Sequence, residues 1–467
     1  MASGYPRSDE TASDVGFLSV ESRTFAEGQN VRGTRLESRR REGAFFPDDF
    51  QECSMRFTTG AVLLTVVVAL VGVGFVAFEA NDGGTLSERW VSDTGRDMNG
   101  NHHAPAAANV SGRSLVFAPI SDRGNGTGCG LYALDANDGR VVWDDRVSPA
   151  DCTLHAVADP TVADFDGDGT REVLATSTER RVTAYHPLSG DEELRHELSA
   201  YGYTQPVVSN FAPDLGRETA VVDVEGRLSL VRANGTALWS RNLGGTVWAQ
   251  PAAADFDADG STELAVGVAS PDGGHVVLLA GDNSTEWRVD AIDDSILWMG
   301  TGQADDDSAV EISVATSGGA IVLVDGADGS VEWRRSVGDL AAVHDISDAN
   351  GDGTPEVYAV SRDGTLFALR ATDGSVEWKS SLTTGTQMTP PPLVGDVDGD
   401  DEPELVATTN DGKVAVVAPD SGDVLATYER SVPIYTHPAL ADLDGDGAEE
   451  IYVTYGDGRV VSLAYES

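Results

Sequence analysis

Seven glutamates set the frame of this chain. Glu172, Glu218, Glu263, Glu311, Glu356, Glu404 and Glu450 follow one another at 46, 45, 48, 45, 48 and 46 residues. Each closes an acidic loop that lies between two apolar runs. A period of this length marks a repeat architecture, in which one unit buries its apolar face only when neighbours stack on it. The segment 161–198 gives the content of a unit: TVADF, EVLATS, RVTAYH and EELRHEL, divided by Gly, Asp and Ser. Four short strands in about 46 residues is the size of a propeller blade. No amphipathic helical pattern of useful length occurs, so a stack of helical repeats is excluded.

An eighth unit, about 102–147, precedes the first acidic loop (APAAANV, SLVFAPI, GLYALDANDG, RVVWDDRV). The last unit begins near Tyr435 and ends at RVVSLAY without a fourth strand. A replacement stands at the other end: LSERWVS, Leu86 to Ser92, is similar to SVEWRRS and SVEWKSS. Supplying it there closes the ring and removes two exposed sheet edges. The predicted fold is therefore all-β: an eight-bladed propeller of four-stranded blades over 85–467, closed by an N-terminal strand. A tryptophan recurs at one place in the fourth strands: Trp143, Trp333 and Trp378 four residues after a turn glycine, Trp239 and Trp287 equivalently, and Trp90 near the N-terminus. Flat side chains at a fixed strand position suit packing between radial blades.

The turn-and-Trp phrases (LYALDANDGRVVW, VLVDGADGSVEW, FALRATDGSVEW) resemble the repeats of PQQ-like, quinoprotein-type propellers. The acidic loops resemble the FG-GAP and integrin-α calcium repeats. Together the two resemblances cover nearly all of 85–467. They imply a fold more firmly than a function, because propellers host many activities.

Calcium wants six to eight oxygen ligands. Carboxylates at loop positions 1, 3 and 5 converge when the chain turns sharply, glycine at position 6 permits the turn, and glutamate at position 9 closes the shell. Five loops carry this set: Asp164, Asp166, Asp168, Glu172; Asp255, Asp257, Asp259, Glu263; Asp348, Asn350, Asp352, Glu356; Asp396, Asp398, Asp400, Glu404; and Asp442, Asp444, Asp446, Glu450. DVDGDDEPE has lost its central glycine. Two copies are decayed, NFAPDLGRE with Asn210, Asp214 and Glu218, and QADDDSAVE with Gln303 in place of the first Asp. About five structural Ca2+ ions are expected, with the decayed loops empty or weak. The competing reading is acidic hairpins without metal. Closure at position 9 between strands separates these loops from the EF-hand, which closes at position 12 between helices.

The acidic loops join first and second strands and so share one face of the disc. The links between blades fall on the opposite face, around the central funnel. They carry His102, His103, His155, Tyr203, Trp248, Trp298, His344, Tyr435 and His437. As a group these suggest a wet aromatic pocket for a sugar, a peptide or a protein loop.

The rest of the chain places this ring. From Phe57 to Phe78 there is no charged residue. That run is long enough for a single transmembrane helix, with a cleaved signal peptide starting at Met55 as the alternative. Six arginines between Arg32 and Arg56 precede it, and an acidic domain follows. The positive-inside bias therefore sets residues 1–56, read as a disordered tail, in the cytoplasm. Residues 79–84 serve as a linker, and the propeller stands outside the cell membrane. Four sequons, at Asn109, Asn125, Asn234 and Asn283, all lie on the outer side. The balance of 77 acidic to 31 basic residues, with Lys379 and Lys413 the two lysines, resembles proteins of extreme halophiles. It excludes a nucleic-acid partner, which demands a basic footprint. Cys129 and Cys152 fall in the outer domain, bonded or free.

Three functions compete. The first is a non-catalytic binding, adhesion or envelope-assembly scaffold with a protein or glycan partner at the cell surface, as in BamB-like assembly factors and integrin-α heads. The second is a quinoprotein dehydrogenase. Enzymes of that type hold PQQ with a vicinal Cys-Cys pair and a metal in the funnel, and this chain has no adjacent cysteines, so PQQ is not expected. The third is a calcium-dependent polysaccharide lyase with His344 or His437 as base, though no catalytic spacing singles them out and no residue is assigned a catalytic role.

Overall fold

The computed structural model describes residues 83–95, 100–123, 126–212, 216–270, 273–305, 307–384 and 390–466. The predicted tail 1–56, the membrane helix 57–78 and most of the linker lie outside these residues, as do Asp214 and Cys53. The chain forms eight sheets of four antiparallel strands each. Blade 1 is Ala106–Val110, Arg113–Ile120, Gly130–Asp135 and Val141–Arg146. Blades 2 to 7 repeat this simple meander along the chain. Blade 8 takes its three inner strands from the C-terminus, Ala439–Ala441, Glu450–Thr454 and Val460–Glu466, and its outer strand, Thr85–Val91, from the N-terminus. This is the predicted closure, one residue earlier along the chain.

Burial explains the strand patterns. Second strands such as Glu172–Ser177 are buried at every residue, because neighbouring blades cover both of their faces. Outer strands such as Glu192–Glu197 show only Leu194 and partly His196 to the interior. Inner strands such as Thr161–Ala163 are half-buried and line the axis. Eight apolar clusters follow, one at each joint between blades.

The tryptophans lock these joints. Trp143 donates its indole N–H to the Pro187 carbonyl of the next blade at 2.8 Å. Trp239, Trp287, Trp333 and Trp378 do the same to Gly281, Gly326, Ala371 and Pro419. Trp90 of the closing strand donates to Ala136 of blade 1 at 2.6 Å. Each buried indole thus keeps a partner for its one polar atom. The turn glycine beneath is required twice over. Gly374 has φ +65°, and a Cβ there would stand 2.6 Å from the Trp333 ring. Leu194 and Ala426 replace Trp in blades 2 and 7.

Cys129 and Cys152 are bonded, with Cα atoms 5.4 Å apart. Both are fully buried in the cluster between blades 1 and 2.

Candidate functional site

The inner strands of blades 2 to 8 run into the acidic loops, whereas that of blade 1 ends in the tight turn Ser111-Gly112; the links before the inner strands of blades 1 to 4 and 8 carry predicted ring residues. In the acidic loops the closing glutamate is held by the backbone. Its Oε2 accepts the N–H of loop position 2: Phe165 for Glu172 (3.3 Å), Phe256 for Glu263 (3.0 Å), Ala304 for Glu311 (2.5 Å), Val397 for Glu404 (3.1 Å) and Leu443 for Glu450 (3.1 Å). Buried Phe165, Phe256, Ala304 and Val397 fasten the loops to the core. The aspartates shape the turn: Asp164 accepts Gly167 N–H at 2.7 Å, and Asp166 accepts Asp168 N–H at 3.0 Å. Asp168 turns to Thr170 N–H at 2.7 Å.

Carboxylate oxygens converge to within 4.8 Å of one another in five loops, from Asp164, Asp166 and Glu172; Asp255, Asp257 and Asp259; Asp305, Asp307 and Glu311; Asp396, Asp398 and Glu404; and Asp442, Asp444 and Asp446. Four of these are loops read as calcium sites from sequence. The fifth is the copy read as decayed. In it Gln303 turns its amide nitrogen to the Asp307 carbonyl at 2.6 Å, out of the way of the three carboxylates. In blade 6 the Asn350 amide instead donates to Glu356 at 3.1 Å, and Asp348, Asp352 and Glu356 form no such trio among the described residues.

The donor chemistry suits a hard cation. Asp255 Oδ1 and Glu311 Oε1 are buried without a hydrogen-bond partner. Burial, then neighbouring aspartates, pushes Glu172, Glu263, Glu311 and Glu404 up to about 7. Glu356 rises to about 7 through burial and Glu377. A divalent ion would supply the positive charge these oxygens lack.

At the other face the predicted ring residues come together near the axis, but Trp298 and His344, expected in links, lie within the inner strands Ile296–Gly302 and Ala342–Ser347, so five links and two strands supply them. His102 stacks on Tyr435 with centroids 4.5 Å apart. His155 stands 5.4 Å from both His102 and His103, and 4.9 Å from Tyr203. Tyr203 meets Trp248 edge-on at 4.9 Å. On the far side His437 meets Trp298 at 6.2 Å and His344 at 5.4 Å. The ring contacts form a two-part plug, His102, His103, His155, Tyr203, Trp248 and Tyr435 on one side and Trp298, His344 and His437 on the other.

Beneath the plug lies a carboxylate that the sequence reading missed. Asp159 Oδ1 accepts from His103 Nδ1 at 2.9 Å and from Ala104 N–H at 2.8 Å. Its Oδ2 accepts from Gln250 Nε2 at 2.5 Å, which ties blade 2 to blade 4. Gln250 Oε1 in turn accepts Gln205 N–H at 2.7 Å. Burial raises the Asp159 carboxyl, but the His103 bond and charge, His437 and Ala104 together bring it below its ordinary value. Burial takes His102 down to about 4, helped by His103 and Arg123. It also lowers His155 and His437, with further lowering from nearby imidazoles. A signal for this group was present. Asp159, Gln205, Gln250 and His437 each precede a proline that abuts an inner strand, and proline holds the residue before it extended.

The comparisons agree with this geometry. Solved structures with the same fold include the BamB of Moraxella catarrhalis, 14% identical, with a TM-score of 0.54 over 81% of this chain and 100% of that one. The computationally designed Ika8 protein is 15% identical, with a TM-score of 0.57 over 81% and 99%. The quinohemoprotein alcohol dehydrogenase ADHIIG of Pseudomonas putida HK5 is 13% identical, with a TM-score of 0.56 over 83% and 77%. No curated protein matches the sequence. A family model described as outer membrane protein assembly factor BamB matches residues 57–213 and 311–463. That is well over half of the chain, which therefore belongs to the BamB family of PQQ-type propellers.

Proposed function

We propose that this chain is a non-catalytic scaffold for envelope proteins, held at the outer surface of a membrane and stiffened by calcium in its acidic loops. One observation carries the binding role: rings from five blade links and two inner strands gather in two groups near the axis, where they offer aromatic and imidazole edges to a protein segment. Membership in an assembly-factor family supports the same reading. The acidic loops supply the calcium sites, with Asp164, Asp166 and Glu172 as the model set. The Cys129–Cys152 bond fits an oxidising, exported location. The apolar run 57–78 would serve as the anchor. The acidic, lysine-poor surface suits high salt.

The dehydrogenase reading fits the residues poorly. The cysteines are 23 residues apart and joined in a joint between blades, not adjacent in the funnel. The imidazoles near the axis are turned on one another, on Asp159 and on Asp345, and among the described residues they form no cluster of metal-binding side chains.

The test uses the full-length chain in detergent at high salt. Immobilised wild type should retain an unfolded envelope polypeptide in calcium, and the Trp248→Ala, Trp298→Ala double variant should retain at least tenfold less. Dye reduction with added PQQ and an alcohol, cleavage of a uronic-acid polymer, or equal retention by the double variant would overturn the proposal.

A further inference from the structure

The blade 8 loop differs from the others in having an arginine paired with the carboxylate of its closing glutamate. Arg89, on the closing strand, places one nitrogen, Nη1, 2.6 Å from Asp444 Oδ2 and 2.6 Å from Glu450 Oε1. Asp444 is the loop's third position and Glu450 its closing residue. The Glu450 side chain is 5% exposed, so the pair is sheltered on that side. Among the described residues no other closing glutamate of these loops pairs with an arginine. The converging set in this loop is Asp442, Asp444 and Asp446, without Glu450; the blade 4 set of Asp255, Asp257 and Asp259 likewise omits its closing Glu263, so the pairing with Arg89 is what sets the blade 8 loop apart. Arg89 precedes Trp90 on the outer strand, where blades 2 and 5 carry Glu193 and Glu332 close to the carboxylates of their own loops; blade 8 alone of these three puts a cation there.

We propose that Arg89 is the resident cation of the blade 8 loop, so that calcium in this loop and the Arg89 ion pairs exclude one another. The inference rests on calcium binding by these loops. Calcium and a guanidinium would draw on the same oxygens of Asp444 and Glu450 and repel each other at short range. This loop therefore fills last. Linkage is reciprocal: whatever Arg89 takes from calcium affinity, calcium takes from the grip of the closing strand. The strand's other ties, the ladder to Val460–Glu466 and the Trp90 indole, do not touch the loop carboxylates. A cavity of about 90 Å³ beside Trp90, Asn137 and Tyr452 gives the displaced guanidinium room to swing. The seam of the ring is thus its calcium-responsive part.

The test is a calcium-binding isotherm on the full-length chain, stripped with chelator, by equilibrium dialysis. In Arg89→Gln the weakest site should tighten about tenfold, the worth of a charged hydrogen bond, with the other sites unmoved. Adding Asp446→Asn should abolish that tightened site. Hydrogen exchange in wild type needs no variant: protection of Thr85–Val91 should fall as the last ion enters, while protection elsewhere rises. An Arg89→Gln isotherm that superimposes on wild type, or closing-strand protection that rises with the rest, overturns the proposal. If the other loops fill and either result is seen, only this inference goes. If no loop binds calcium, the calcium reading goes with it.

Discussion

The two ends of one inner strand make the sharpest contrast in this molecule. Blade 2's inner strand is three residues long, Thr161–Ala163, so its ends lie about 10 Å apart. At its start, Asp159 has both oxygens hydrogen-bonded by the chain itself. At its end, Asp164, Asp166 and Glu172 bring three carboxylates within 4.8 Å of one another. The first region is complete without help. The second is, on the proposed reading, a site for an ion. The contrast teaches that one repeat carries two kinds of polar chemistry: structural at the funnel, conditional at the loops.

The largest expected effect breaks the funnel. Asp159→Ala leaves His103 and Gln250 without their partner and should cost about 3–5 kcal/mol in denaturant unfolding. Bound calcium should stay unchanged. If the ion count falls with it, the two regions are not independent.

Asp164→Asn with Asp166→Asn breaks one loop and leaves the funnel alone. The protein should bind one ion fewer and lose about 1.4 kcal/mol when calcium is at ten times its dissociation constant. In chelator the double variant should match or exceed wild type, because like charges have been removed.

The pH dependence separates the regions by sign. His102, His155 and His437 have folded pKa values below their unfolded value near 6.5, and His102 reaches about 4. Between those values the unfolded chain holds more protons, so the funnel's contribution is intact above 6.5 and is lost as pH falls toward 4. The closing glutamates have folded values raised from 4.5 to about 7 by burial. For them the folded chain holds more protons, so calcium-free stability falls as pH rises from 4.5 through 7. From pH 6.5 to 7.5 the glutamate effect acts alone. The melting temperature should drop over that interval in chelator and hold steady in calcium.

The smallest effect lies within the loops. Positions equivalent to Gly169 and Gly447 have positive φ, and in blade 7 Asp401 takes this conformation at φ 68°. Asp401→Gly should relieve about 1 kcal/mol of backbone strain. No change in denaturant midpoint would mean the aspartate carries no strain there.

Most of the architecture could be read from the repeat. The blades, the closure by the N-terminal strand and the tryptophan joints depend on local patterns that recur at a fixed period. The polar details were harder. Nothing local pairs Asp159 with Gln250, which lie 91 residues apart and meet only because the ring brings blades 2 and 4 to one axis. Ranking loops by residue type favoured the Asn350 copy over the Gln303 copy. Among the described residues the carboxylates converge in the Gln303 copy and not in the Asn350 copy, because a motif counts side chains and does not say which atom faces inward: the Asn350 amide donates to Glu356, whereas the Gln303 amide donates to the Asp307 carbonyl. Arg89 was hidden for the same reason, since its partners lie more than 350 residues along the chain.

The central claim is that the acidic loops are calcium sites that hold the ring firm. The direct measurement is the number of ions bound by the full-length chain at high salt, taken with a thermal melt before and after chelation. The account predicts about five ions and a melting temperature that falls by several degrees or more on chelation. No bound calcium and an unchanged melt would contradict it, and would leave the loops as acidic surface on a propeller that needs no metal.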